Sequence, residues 1–252
     1  MAFGLCTSPS GSARPDPCVP ADTRVYAVGD IHGCPEKLRV LHRMILGDAA
    51  DAPERRVVVY VGDYIDRGPD SREAVDLLIE EPLEGFESIH LIGNHEAFLL
   101  EFLDSEMGAM PWLMNGGDAT CRSYGVDPYV PPDLTDRFSW LRQALAERLP
   151  EAHLAFFRGL VPHHVEGDYL FVHAGIRPGV ALADQDPADL IWIREPFLGS
   201  DEDHGKMVIH GHTPTAVPDL RHNRIGIDTG ACFGGPLTAL VLEGDSRRFL
   251  QV

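Results

Sequence analysis

Val57-Val58-Val59-Tyr60-Val61-Gly62-Asp63-Tyr64-Ile65-Asp66-Arg67-Gly68-Pro69 is the stretch that decides how this chain folds. It opens as a β-branched run, the pattern of a strand buried on both faces of a sheet. It stops at Gly62-Asp63, so a carboxylate is delivered at the carboxyl end of a buried strand, where open α/β sheets place their ligands. A second carboxylate, Asp66, and a guanidinium, Arg67, follow before Gly68-Pro69 turns the chain. Two carboxylates beside an anion-binding arginine point to a metal site facing a phosphate.

The same grammar recurs along the chain. Arg24 to Val28 ends in Gly29-Asp30-Ile31-His32-Gly33, and Ser88 to Ile92 ends in Gly93-Asn94-His95-Glu96. Tyr169 to Val172 ends in His173-Ala174-Gly175, and Met207 to Ile209 ends in His210-Gly211-His212-Thr213-Pro214. A helix is predicted from Pro35, the position proline favours, with Leu38, Leu41 and Ile45 on one face. Another follows Asp70 or Ser71 and carries Val75, Leu78 and Ile79, and an apolar helix runs from Ala97 to Leu103. Strand–loop–helix units of this kind build a wound α/β sheet. From about residue 102 to 158 the pattern turns helical, with Phe138, Leu141, Leu145 and Leu149 at helical spacing, and reads as a cap inserted into the sheet domain. Strands resume after it and close with Arg224 to Asp228 and Leu237 to Leu242.

Composition sets the bounds. The 252 residues fit one domain, residues 24–252, preceded by an N-terminal arm, residues 1–23, that the Ser-, Gly- and Pro-rich run from Ser8 to Pro20 marks as disordered. No apolar run is long enough to span a membrane, and no secretory leader is visible. The five cysteines are odd in number and scattered, which favours a reduced, cytoplasmic setting over a disulfide framework. A formal net charge of −18 argues against nucleic acid as a partner. It also burdens an enzyme with an anionic substrate, a burden that bound divalent cations relieve locally.

Seven donors therefore converge on one sheet edge: Asp30, His32, Asp63, Asn94, His95, His173 and His212. Carboxylates with imidazoles and no thiolate suit manganese, iron or zinc in a reactive rather than structural site. Seven exceed one tetrahedral shell and suggest two metals about 3.5–4 Å apart bridged by a carboxylate. Any one donor alone reads equally well as a core histidine or a helix cap, but chance does not place every one after an apolar run and beside a glycine.

Gly29 to Gly33, Gly62 to Gly68, Gly93 to Glu96, His173 to Gly175 and Gly211 to Pro214 together resemble, in order and spacing, the phosphoprotein-phosphatase branch of the calcineurin-like metallophosphoesterases. The resemblance implies two packed mixed β-sheets flanked by helices. It implies two divalent metals, manganese first with iron or zinc as alternatives. Asp30 and His32 would hold one metal, Asp63 would bridge, and Asn94, His173 and His212 would hold the other. Arg67, with Arg194 beside it, would clamp the phosphate while hydroxide attacks phosphorus in line. His95 would be the general acid, oriented by Asp66. Its place at the start of a helix sets it against the positive dipole end, which disfavours imidazolium and makes it a readier proton donor.

Pro214 stands where phosphodiesterase branches carry a further histidine, and Asp66 is a residue that bacterial dinucleoside tetraphosphate hydrolases usually lack. Both details favour a phosphomonoesterase resembling bacterial serine/threonine protein phosphatases, acting on a phosphoprotein or small phosphorylated substrate. The alternatives are a dinucleoside polyphosphate hydrolase with the same centre, and a pseudo-enzyme that binds phosphopeptides. His163-His164 read as a surface loop, His210 as core, Arg177 as surface, and Cys34 and Cys232 as unactivated thiols. Asn115 to Asp118 read equally as pocket lining or as a plain turn.

Overall fold

The structure, a computed structural model, describes residues 16–129 and 136–252. In chain order the elements are β1 (Thr23–Val28), α1 (Pro35–Asp48), β2 (Arg55–Tyr60), α2 (Ser71–Glu80), β3 (Glu87–His90) and α3 (Asn94–Asp104). Then come α4 (Ala109–Trp112), α5 (Asp118–Ser123), α6 (Arg137–Arg148), α7 (Glu151–Arg158), β4 (His163–Glu166) and β5 (Tyr169–Val172). The chain continues through α8 (Pro187–Trp192), β6 (Met207–His210), β7 (Asp219–Leu220), β8 (Arg224–Gly226), β9 (Thr238–Glu243) and β10 (Ser246–Gln251).

Among the described residues the strands form two five-stranded mixed sheets, β10-β9-β1-β2-β3 and β4-β5-β6-β8-β7. β1, β2 and β3 run parallel, as do β5, β6 and β8, while β9, β10, β4 and β7 pair antiparallel at the margins. The period-2 alternation of a strand explains the layering. Val57, Val59 and Val61 face the second sheet and pack with Phe171, Ile209 and Ile225. Val58 and Tyr60 face the opposite way, into a helix-covered cluster with Leu38, Leu41 and Leu78. The outer face of the second sheet is closed by Leu190, Ile193 and Phe197 over Leu170, Val172 and Val208. The parallel strands of both sheets thus end at one rim of the sandwich.

The helical segment expected near 102–158 is present as the end of α3 through α7. Its Phe102, Trp112, Leu141, Leu145 and Phe157 belong to the same buried cluster as Tyr26, Val58 and Tyr60. A five-residue π-turn, Leu113–Gly117, joins α4 to α5, with Gly116 at φ +102°.

Several expectations need correcting. β3 stops at His90, and Leu91 makes only a bridge to Val161 before the chain turns into α3. His163 and His164 lie in edge strand β4, not a loop. Residues 16–22 of the expected disordered arm are tied down: Val19 is buried and its N–H donates to Gly244 O at 3.0 Å, and Cys18 O accepts from Asp168 N–H at 2.9 Å. The remainder of that arm, residues 1–15, lies outside the described residues. Among the described residues no helix is long and apolar enough to cross a membrane.

Candidate metal centre

Every sequence-predicted donor sits at that one rim. β1 delivers Asp30 and His32, β2 delivers Asp63, β3 leads into Asn94 and His95 at the start of α3, β5 delivers His173 and β6 delivers His212. All seven are buried. The turns that aim them are strained: of six described non-glycine residues with positive φ, five are His32, Asp63, Asp66, Arg67 and His212. Such conformations cost about 1–3 kcal/mol each and persist only where the surroundings over-determine them. Close approach also dictates the glycines. A Cβ at Gly62 would sit 2.7 Å from Gly93 N, and one at Gly211 would sit 1.9 Å from Asp30 Oδ1.

Asp63 stands at the middle. Its Oδ1 lies 3.4 Å from His173 Nε2, and its Oδ2 lies 3.4 Å from His32 Nε2 and 3.8 Å from His95 Nε2. Two donor groups follow, His32–Asp63–His95 and Asp63–His173–His212, each close enough to share one ion. Asp63 belongs to both, the geometry a bridging carboxylate needs.

The tautomers point the same way. His32 Nδ1 donates to Ile65 O at 2.8 Å and His173 Nδ1 donates to Val61 O at 2.8 Å, since a carbonyl only accepts. Each imidazole is thereby left with an Nε2 lone pair turned inward, the arrangement that backbone partners impose on metal-ligating histidines. Arg67 Nη1 donates into the His32 lone pair at 2.6 Å, so a cationic group already answers it. Asn94 Oδ1 lies 3.0 Å from His173 Nε2 and 2.8 Å from His212 Nδ1, and His212 Nε2 is buried without a partner. Burial pushes His32 and His212 down to about 3, keeping both neutral and able to ligate at neutral pH. Asp63 is held below the usual carboxylate range: burial opposes this, but the imidazoles led by His173 outweigh it.

Asp30 is in neither of those two groups; its oxygens accept the His212 N–H at 3.0 and 3.3 Å, and the Asp63 carboxylate is near enough to act on it. Burial, then the carboxylates of Asp228 and Asp63, push it well above its ordinary value. Asp228, which the sequence reading passed over, is itself pushed up to about 6, chiefly by burial. Buried carboxylates crowded together are what a divalent cation stabilises. The donor set and the unpartnered nitrogens therefore fit metal ions.

His95 Nδ1 bonds Asp66 Oδ2 at 2.7 Å, and its Nε2 is buried, unpartnered and turned to the centre. The helix-terminus argument predicts a lowered imidazole, and the structure reverses the sign. Burial does lower it, but Asp63 and Asp66 outweigh burial and the His95 pKa is raised. Arg67 is half-buried with its guanidinium 5.6 Å from the Phe233 ring, and Arg194 is exposed with its charge acting on His212.

Four residues near the centre were missed. Glu96 is fully buried and accepts the N–H groups of Asp63, Gly93, Tyr64 and Ile65 at 2.8–3.3 Å, pinning the turn that carries Asp63. Trp112 and Thr120 donate to the Asp66 carboxylate, and Asp228 lies beside Asp30. Of the Asn115 to Asp118 turn, Gly116 O accepts the Arg67 N–H at 3.2 Å, whereas Asn115 bonds Pro111 O instead of facing the centre. His210 is buried and bonded to Gly211 O and Arg224, and Arg177 pairs with Asp189.

With this architecture and this rim, the chain belongs to the calcineurin-like phosphoesterase family, whose profile matches residues 23–237. It is 28% identical over 229 residues to an asymmetrical bis(5'-nucleosyl)-tetraphosphatase of Bacillus thuringiensis, covering 84% of this chain and 88% of that protein. Among solved structures it superposes on a candidate diadenosine tetraphosphatase with a TM-score of 0.62 at 21% identity, covering 94% of this chain and 98% of that one. It also superposes on a cold-active protein tyrosine phosphatase with a TM-score of 0.58 at 16% identity, covering 92% and 81%. At those identities the two superpositions speak for the fold alone.

Proposed function

We propose that this chain is a metal-dependent hydrolase of dinucleoside polyphosphates that cleaves the phosphate bridge asymmetrically. The supporting observation is the similarity to asymmetrical bis(5'-nucleosyl)-tetraphosphatases across 84% of this chain and 88% of theirs. This reverses the order of the two enzymatic readings drawn from the motifs. Asp66 was the residue that favoured a monoesterase, yet its partners are His95, Trp112 and Thr120, all within the protein. It speaks first to how the imidazole is held and does not by itself exclude an anhydride substrate.

In this reading His32, Asp63, Asn94, His173 and His212, together with Asp30, would hold two divalent ions, manganese by preference. Bound there, divalent ions neutralise phosphoryl oxygens and lower the pKa of a bound water. The chain's own groups do the rest. Arg67 and Arg194 carry fixed positive charge to the phosphates, where charge must be stabilised as the bond to phosphorus changes. His95 presents Nε2 to the leaving oxygen and gives it a proton. Asp66 accepts the Nδ1–H and favours the imidazolium, so that Nε2 carries the second proton, the one to be given up. A net charge of −18 concentrates the need for cations at the metal centre and speaks against polynucleotide substrates, while the scattered cysteines accord with a cytoplasmic setting.

The second reading, a serine/threonine protein phosphatase, rests on the Asp66–His95 pair, because a general acid matters most for a poor leaving group. A panel of diadenosine tetraphosphate, a phosphoserine peptide and nitrophenyl phosphate, assayed with manganese, tests the choice. The expected result is the highest kcat/KM for the dinucleotide, with a nucleoside triphosphate and a monophosphate as products. A ranking led by the phosphopeptide would give the chain to the second reading. Two diphosphates as products would overturn the asymmetry, and no turnover with full metal loading would favour a phosphopeptide-binding pseudo-enzyme.

A further inference from the structure

The helical segment between α3 and β4 reaches the loop that carries Asp66. Asp66 lies in the loop after β2, and both oxygens of its carboxylate are engaged by residues that arrive much later in the chain. Trp112, fully buried, donates Nε1–H to Asp66 Oδ2 at 2.9 Å, the oxygen that also meets His95 Nδ1 at 2.7 Å. Thr120, also fully buried, donates its hydroxyl to Asp66 Oδ1 at 2.5 Å and accepts the Asp66 N–H at 2.9 Å. Ser71 Oγ shares that N–H at 3.0 Å. Gly116 O, between the two, accepts the N–H of Arg67.

We propose that Trp112 and Thr120 are positioning residues, which fix the Asp66 carboxylate and through it aim His95 at the leaving group. The proposal rests on the reading of His95 as the proton donor. Its physical basis is that one hydrogen bond leaves a carboxylate free to swing about its Cβ–Cγ bond, whereas three donors on two oxygens leave one orientation. Asp66 and Arg67 both have positive φ, at 71° and 65°, so their turn depends on outside contacts to hold it. The choice of residue type at 112 follows from the same requirement. A buried indole N–H must find an acceptor, and here the acceptor is the acid's own orienting carboxylate. The glycines fit around the ring: a Cβ at Gly117 would lie 2.4 Å from Trp112, so the π-turn has no room for any other residue there. The insertion is thereby coupled to the reaction, since moving it would release Asp66, loosen His95 and shift Arg67 together.

A plain packing role for Trp112, which sits 5.2 Å from the Phe102 ring, makes a different prediction. Trp112→Phe keeps an aromatic ring and removes the N–H. Thr120→Val keeps the shape and removes the hydroxyl, and Thr120→Ser restores it. Each is made alone and in a His95→Asn background, and kcat, KM, metal content and melting temperature are measured on whichever substrate of the panel is turned over. We expect Trp112→Phe and Thr120→Val each to lower kcat about 10-fold, at the low end for a hydrogen bond to a charged group. KM and metal content should hold, and Thr120→Ser should recover most of the rate. In the His95→Asn background neither substitution should lower kcat further, because the group they aim is gone. Equal losses in both backgrounds, or wild-type kcat in Thr120→Val, would overturn the proposal alone. Undiminished kcat in His95→Asn would overturn the acid assignment and this proposal with it. Should Trp112→Phe fail to fold, the Val and Ser variants at 120 decide the matter by themselves.

Discussion

Replacing Glu96 by glutamine changes one atom and tests whether the centre is held from below. The carboxylate is fully buried, and its two oxygens take four backbone N–H groups: Oε2 accepts from Asp63 and Gly93, each at 3.0 Å, and Oε1 accepts from Tyr64 and Ile65 at 2.8 and 3.3 Å. In glutamine one of those oxygens becomes an NH₂ group, so two N–H groups face a donor. A buried donor left unsatisfied costs about 1–3 kcal/mol, giving about 2–6 kcal/mol for the pair. For a chain of this size roughly 2–4 °C of melting temperature corresponds to each kcal/mol, hence a fall of about 4–24 °C. The chain can avoid that loss only by letting the turn at Asp63 open, and the opened turn would no longer hold metal. Differential scanning calorimetry with and without manganese, together with metal analysis of the same preparation, covers both outcomes. A variant that melts within a degree of wild type and retains full metal would refute the argument that Glu96 secures the Asp63 turn.

Asp63→Asn should lose metal at both groups and turnover together while the fold survives, because the charge facing both His32 and His173 is removed; two metals per chain with near-wild-type kcat would end the bridging assignment. Acid should destabilise the fold through His42 and His90, each pushed down to about 4, chiefly by burial. Against an unfolded value near 6.5, the unfolded chain binds protons first, so this stability is complete above pH 6.5 and is lost as pH falls toward 4, by about 2–3 kcal/mol per histidine. Urea unfolding at pH 7.5 and pH 5 measures it, and a His90→Phe variant, whose ring can keep the stack on Tyr60, should show a visibly smaller difference. An unchanged difference would remove His90 from the account.

What the sequence alone determined lies where chemistry is local. Each donor is within a few residues of a buried strand's end, and a strand, a glycine and a carboxylate are legible in one short window. That was enough for the seven donors at one rim and for the resemblance to the family, and it was the resemblance, not the strand pattern, that implied two packed sheets. Tertiary structure decided whatever joins distant windows. Trp112 and Thr120 reach Asp66 across 46 and 54 positions, and Asp228 lies beside Asp30 from the far end of the chain. No periodicity links such pairs, because their contact is set by how the sheets and the inserted helices pack. Edge strands escaped for a related reason: β10, Ser246 to Gln251, carries two arginines and is a strand because β9 offers it hydrogen bonds. The sign of the His95 shift belongs to the same class. A helix terminus can be read from sequence and lowers an imidazole, but Asp63 and Asp66, brought in by another strand, outweigh it.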